Sequence, residues 1–221
     1  YAQCNWISMS QAQRAGMPQS TNWVANIYHG LDPKKFRPVA NPRGDYVAYL
    51  GRIIESKGVH LAIAAAKRAG VTLKIAGKHY AGKKDAYWQE QIVSQLGDSI
   101  EYVGFIKDNA AKQRFLGNAR ALVVPSVFDE PFGMVSIEAL ACGTPVIGVN
   151  SGATGEIIEQ HSSGIVVPKT DEPTIIDALA AAIKNIESID RIACRRAFEA
   201  RFTLEQMTQE HIAVYKKLQN N

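Results

Sequence analysis

Apolar residues recur along this chain in two alternating rhythms. Short runs rich in Val, Ile and Ala stand at 46–50, 72–76, 100–105, 121–125, 145–149 and 164–167. They are apolar on nearly every position, as strands covered on both faces require. Between them apolar positions fall three and four apart, over 59–68, 86–96, 110–118 and 135–142, which predicts helices. Strands alternating with helices at this spacing predict a parallel sheet with helices on both faces. Right-handed crossovers then give a doubly wound, Rossmann-like α/β domain. Beyond the last strand the rhythm is helical only, over 172–186, 189–200 and 204–218, the last opened by Thr203 as a good N-cap.

Two stretches break the pattern. Residues 1–20 are rich in Gln, Ser and Met, include Gly16 and Pro18, and offer no clear partner element. The stretch DPKKFRPVANPRG, 32–44, carries three prolines and reads as a linker or an irregular loop.

Composition narrows the class. Hydrophobic residues make up 46% of 221, enough for a full core. No window approaches eighteen uninterrupted apolar residues, so no membrane span is expected. The opening YAQCNWISMS has neither a basic start nor a long apolar centre, so it does not read as a signal peptide. It also opens on Tyr1 and not on Met, and a fragment is the expectation. Cys4, Cys142 and Cys194 lie far apart, without metal-ligand spacing. A reduced, cytoplasmic setting is expected, each cysteine serving as a small buried apolar residue. The net charge of +4 suits an anionic ligand or a membrane surface. Without a dense basic stripe interleaved with aromatics, nucleic acid is not an expected partner.

In an open parallel sheet ligands bind beyond the carboxyl ends of the strands. After 46–50 comes GRIIESKGVH, where Gly51 permits a tight turn and Arg52 and Lys57 lead into a helix. Two cations beside a helix N-terminus suit a diphosphate, and solvated surface charges would look the same. After 72–76 comes GKHYAGKK, 77–84, in which Lys84 replaces the hydroxyl residue a phosphate loop needs for magnesium. Gly77 can still admit a ligand, with His79 facing it or simply solvated. After 100–103 comes GFIKD, where Phe105 and Ile106 suit either a flat base or an ordinary core pair.

After 121–125 comes FDEPFGMVSIEALACGTPVIG, residues 128–148. Pro131 disfavours helix at Glu130, leaving that acid in a loop at the mouth of the sheet. Phe132-Gly133 opens the next helix, and Gly133 lets backbone N–H groups approach a ligand. Glu138 follows on a helix whose Ala139, Leu140 and Cys142 belong inside. A carboxylate there needs a partner. Ribose hydroxyls would serve, as would an internal Arg or Lys.

The run EPFGMVSIEALACGTPVIG resembles the signature of retaining glycosyltransferases of the GT-B fold, in the large family 4 that includes sucrose synthase-like enzymes and mannosyltransferases. HGLDPKKFRP, GRIIESKG, KIAG, EYVGF and SGATGEIIEQHSSGIVV resemble further family segments, in the expected order. The resemblance implies that this chain is the C-terminal, donor-binding half of such an enzyme. Residues 1–20 would be a remnant of the N-terminal domain or a linker, 21–202 the nucleotide-sugar-binding domain, and 203–221 a helix that packs on the missing domain. Arg52 and Lys57, with Gly51, would bind the donor diphosphate, and Glu138 the ribose. Phe105 and Ile106 would lie near the base. Backbone groups of Phe132, Gly133 and Met134 would meet sugar and phosphate, with Glu130 the catalytic-site acid beside the sugar. The resemblance implies no metal and no cofactor besides the nucleotide-sugar substrate. It leaves the acceptor unknown and allows the full-length protein to work at a membrane surface. Three positions depart from the family pattern. His29-Gly30 stands for Asn-Gly, Ser56 for the Glu before the clamp lysine, and Gly152-Ala153-Thr154-Gly155-Glu156 for Gly-Gly-x-Pro-Glu. Three alternatives use the same residues: a nucleotide-sugar epimerase, a glycogen or starch synthase-like enzyme, and a non-catalytic ligand-binding or interaction module.

Overall fold

The computed structural model describes residues 3–39, 41–79 and 86–220. Its strands are β1 (Trp6–Ser8), β2 (Trp23–Asn26), β3 (Tyr46–Leu50), β4 (Thr72–Ala76), β5 (Ile100–Gly104), β6 (Ala121–Val124), β7 (Val146–Val149) and β8 (Gly164–Val167). The helices are α1 (Val59–Ala69), α2 (Asn109–Gly117), α3 (Met134–Ala141), α4 (Thr154–Ile157), α5 (Glu172–Asn185), α6 (Arg191–Arg201) and α7 (Leu204–Gln219).

Strands β3 to β8 form one parallel sheet in the order β5-β4-β3-β6-β7-β8. The order reverses at β3, which pairs with both β4 and β6, so the loops after β3 and β6 diverge and leave a crevice. Helix α1 packs against α5, and α2 and α6 pack against α3. The reversal puts these two groups on opposite faces, as right-handed crossovers require. Val47, Leu73, Ile75, Leu122, Val146 and Ile147 are buried between them, which explains their unbroken apolar runs. The doubly wound sheet is thus the expected one.

Local chemistry sets the helix starts. Asp108, Asp171 and Asp190 cap α2, α5 and α6 by accepting backbone N–H bonds, and Thr203 caps α7 in the same way. The start of α1 is tighter. Gly58 has φ +67°, and a Cβ there would lie 2.2 Å from the Pro125 carbonyl oxygen. That close approach draws Lys57 toward the loop after β6.

Several expectations change. Over 86–96 the chain widens into a π turn, Trp88–Ile92, followed by a 3-10 turn, Val93–Gln95. The widened turn seats the Trp88 indole between His79, stacked at 4.3 Å, and Tyr102 at 4.8 Å. β5 ends at Gly104, after a register shift beside Ala76, and leaves Phe105 58% exposed. Within 1–20, Trp6–Ser8 does find a partner: it pairs in parallel with Trp23–Asn26. The next segment is tied down by Glu156, whose carboxylate accepts the Gln11 and Ala12 N–H groups at 2.8 and 2.6 Å. Its Ser10 hydroxyl donates to the Pro131 carbonyl. Among its described residues, 32–44 is an anchored irregular strap. Phe36 is buried, and Arg195 and Arg191 donate to the Phe36 and Val39 carbonyls. Cys142 and Cys194 are buried, whereas Cys4 is exposed, against the expectation for it. α7 buries no residue and exposes Leu204, Ile212 and Tyr215. No described helix is long and apolar enough to cross a membrane.

Candidate functional site

Two adjoining cavities open at the carboxyl edge of the sheet, where β3 and β6 part. Leu50, Gly51, Arg52, Met134 and Val135 line both. The first, ≈ 170 Å³, adds Lys57, Ser126, Glu130 and Gly133. The second, ≈ 270 Å³, adds Gly77, Lys78, Phe105, Ile106, Lys112 and Glu138. One end of the crevice therefore holds two basic residues, an acid and a helix start. The other holds an aromatic, an aliphatic and an acid–base pair.

Each side chain has a local reason to be there. The loop after β3 is pinned from inside by the Tyr49 hydroxyl, which donates to the Arg52 carbonyl at 2.7 Å. Burial drives that phenol far above its ordinary value, so it stays protonated and able to donate. Gly77 is where the loops after β3 and β4 meet, since a Cβ there would lie 1.9 Å from the Gly51 oxygen. The rest of the 77–84 stretch from Tyr80 onward lies outside the described residues. His79 stacks on Trp88 and lines neither cavity. Gly133 caps α3 with φ +99°, a left-handed conformation that favours glycine. It gives α3 no side-chain cap, so the first N–H groups of the helix face the first cavity.

The charges form two pairs. The Lys57 ammonium contacts Glu130 Oε1, with both side chains mostly buried. Burial and the neighbouring Arg52 guanidinium push the Lys57 ammonium down to about 8. Arg52 itself has no ion-pair partner among the described residues and remains available to an anion. In the second cavity Lys112 Nζ lies 2.8 Å from Glu138 Oε1. The partner that a buried Glu138 requires is thus an internal lysine, Lys112.

The crevice brings together Gly51, Arg52, Lys57, Phe105, Ile106, Glu130, Gly133, Met134 and Glu138. Phe132 stands apart. Its ring is buried against Tyr28, His29 and Phe202, so only its backbone is near the crevice. His29 packs edge-on to it at 5.1 Å, its imidazole pushed down by burial and by His211. Sequence reasoning missed Lys112, Ser126 and Gly152. A lysine one turn into the helix after the GFIKD loop was the available signal for Lys112. Ser126 Oγ reaches Glu130 Oε1 at 3.4 Å, and Gly152 packs on the Glu130 backbone.

The family model described as "Glycosyl transferases group 1" matches residues 32–196. A glycogen synthase from Mycobacterium tuberculosis is 33% identical over 188 residues, covering 80% of this chain and 43% of that protein. The sucrose-phosphate synthase of Thermosynechococcus elongatus superposes with a TM-score of 0.79 at 26% identity, covering 97% of this chain and 58% of that one. HepE of Anabaena, solved with UDP and glucose, shares the fold with a TM-score of 0.77 at 22% identity, over 95% of this chain and 62% of its own. The chain spans about half the length of the relatives it matches.

Proposed function

The chain belongs to the group 1 glycosyltransferases, and from that premise we propose that it binds the donor for an enzyme that moves a sugar from a nucleotide-diphosphate sugar to an acceptor hydroxyl. One observation carries the reading. A single crevice at the strand-order reversal presents Arg52, Lys57 and the start of α3 at one end, and Phe105, Ile106 and Glu138 at the other. A nucleoside fits the second end and a diphosphate the first. HepE, with the same fold, holds UDP and glucose, which agrees with such a donor.

The roles follow from charge and shape. Phe105 and Ile106 offer apolar surface to the base, and Glu138 accepts from ribose hydroxyls. The planar Arg52 fork and the Lys57 point charge grip the diphosphate, with the N–H groups of Met134 and Val135 beside them. When the bond from the sugar to the diphosphate breaks, negative charge grows on the leaving phosphate. These fixed donors are already aimed at it and need no reorganisation, and no metal is called for. Glu130, freed from Lys57, faces the sugar. Retention of anomeric configuration rests on the resemblance of the Glu130–Glu138 pair to the family signature. In this reading the acceptor site and part of the catalytic apparatus lie outside this chain, in keeping with relatives about twice as long. This chain alone binds donor weakly and transfers little. A cytoplasmic enzyme, whether or not it works at a membrane surface, fits this reading.

The test is a metal-free calorimetric titration with uridine, guanosine and adenosine diphosphates, for the chain and for Arg52→Ala and Lys57→Ala. Saturable binding of one nucleotide, lost in both variants, is the expected result. Binding that both variants retain would remove the diphosphate assignment.

A further inference from the structure

We propose that Lys112 is a positioning residue for the nucleoside end of the donor, holding Glu138 so that one carboxylate oxygen is presented to the ribose hydroxyls. This rests on the donor-site reading above.

Glu138 lies on α3 among Ser136, Ile137, Ala139, Leu140 and Ala141, all buried, and its own side chain is 11% exposed. A carboxylate so placed needs a polar partner to offset its desolvation. Lys112 Nζ, 2.8 Å away, donates to Oε1. Oε2 receives no hydrogen bond from the described residues, and both side chains line the second cavity. The pair therefore presents the second carboxylate oxygen, fixed in direction, to that cavity. Vicinal hydroxyls, which donate, match it, whereas a phosphate oxygen would be repelled by Glu138.

The helix pattern argues in the same direction. Lys112 sits one turn into α2, near the positive end of the helix dipole, where a cation is unfavourable. The capping Asp108 side chain is engaged with the Ala111 N–H. Glu138 is thus the group that makes a lysine tolerable there, across the contact between α2 and α3. Lys57 lines only the first cavity, Lys112 only the second, and Arg52 lies between them on both, so Lys112 stands at the far end from Lys57.

The test compares three probes by calorimetry: the tightest-binding of the three ribonucleoside diphosphates, its 2′-deoxy counterpart, and inorganic pyrophosphate. Lys112→Met, which keeps the apolar stem, is expected to weaken the ribonucleotide about tenfold, in line with loss of a charge-assisted contact. The deoxynucleotide, which keeps only the 3′-hydroxyl, should lose less, and pyrophosphate should be unchanged. In a Glu138→Gln background the same substitution should have little further effect. Lys112→Arg, which keeps the charge, should stay within about threefold of the parent, and it carries the comparison if the Met variant fails a thermal-unfolding check. Equal losses for all three probes would overturn the proposal and make Lys112 a phosphate contact. So would additive losses in the Lys112/Glu138 double variant. A parent chain that binds pyrophosphate but gains nothing from a ribonucleoside also overturns it, while leaving the diphosphate clamp standing. A parent chain that binds none of the probes overturns the donor site itself and this proposal with it.

Discussion

Lys57 and Glu130 neutralise one another at the mouth of the crevice, Nζ against Oε1, with side chains only 14% and 19% exposed. Without donor, each is the other's counter-ion. A diphosphate must therefore take Lys57 from Glu130. Glu130→Gln is expected to tighten binding of a nucleoside diphosphate about two- to tenfold, about 0.4–1.4 kcal/mol, because the competitor loses its charge. The same change should abolish transfer by the full-length protein. Calorimetry on the variant reads the first effect, and unchanged or weaker binding would mean that the pair does not compete.

The Lys57 ammonium gives binding a pH dependence that an ordinary lysine would not. It sits at about 8 in the free protein, pushed down by burial and by Arg52. A diphosphate brings more negative charge than Glu130 and raises it again. Between pH 8 and about 10 the complex therefore holds a proton that the free protein has lost. Affinity should fall as pH rises through 8, with net proton uptake on binding. Below about pH 7 both states carry the proton and the slope vanishes. Titrations at pH 8.5 in buffers of different ionisation enthalpy measure the uptake, which Lys57→Arg should remove.

Gly152 holds the Glu130 backbone in place. Its φ is +55°, and an added Cβ would lie 2.2 and 2.3 Å from the Glu130 oxygen and nitrogen. The adjacent Ala153 N–H donates to the Glu130 carbonyl at 2.9 Å. Gly152→Ala should cost about 2–3 kcal/mol, from backbone strain and overlap together. Because the damage centres on Glu130 and leaves Arg52 in place, turnover of the full-length enzyme should fall more than nucleotide affinity. Denaturant unfolding and a kcat-against-binding comparison check both halves.

The cysteines divide by burial. Cys142 and Cys194 have no exposed surface, and burial pushes both thiols up to about 12. Cys4 is exposed. A thiol reagent at neutral pH should modify one cysteine rapidly and all three only after unfolding. Fast modification of two or more in the native state would show that the α3–α6 core opens readily.

The sheet was legible because its central strands are covered on both faces, which leaves a run such as Val146–Val149 without polar interruption. Arg52, Lys57, Glu130 and Glu138 were legible because each follows a strand end, and the topology gathers such loops at one edge. What escaped notice depends on contacts between distant segments. Trp6–Ser8 is a strand only because Trp23–Asn26 pairs with it. The helix expected over 86–96 widened to seat one indole. Lys112 meets Glu138 only because α2 packs beside α3, a contact between residues 26 apart in the chain. The lysine that occupies Glu138 was one of two partners the sequence allowed, and burial alone could not choose between them.

The strand-order reversal at β3 also separates the charges by position along the chain. Arg52, Lys57 and Lys112 all precede β6, and Glu130 and Glu138 both follow it; the Lys57–Glu130 contact spans 73 residues. The site therefore has no existence in either half of the sheet. It comes into being only when β6 pairs with β3, a contact of long sequence separation. Before that, one half carries unpaired cations and the other unpaired acids, and their attraction favours the correct docking. A chain cut between α2 and β6 would yield two fragments of complementary charge, with nucleotide binding as the signal of their reassembly.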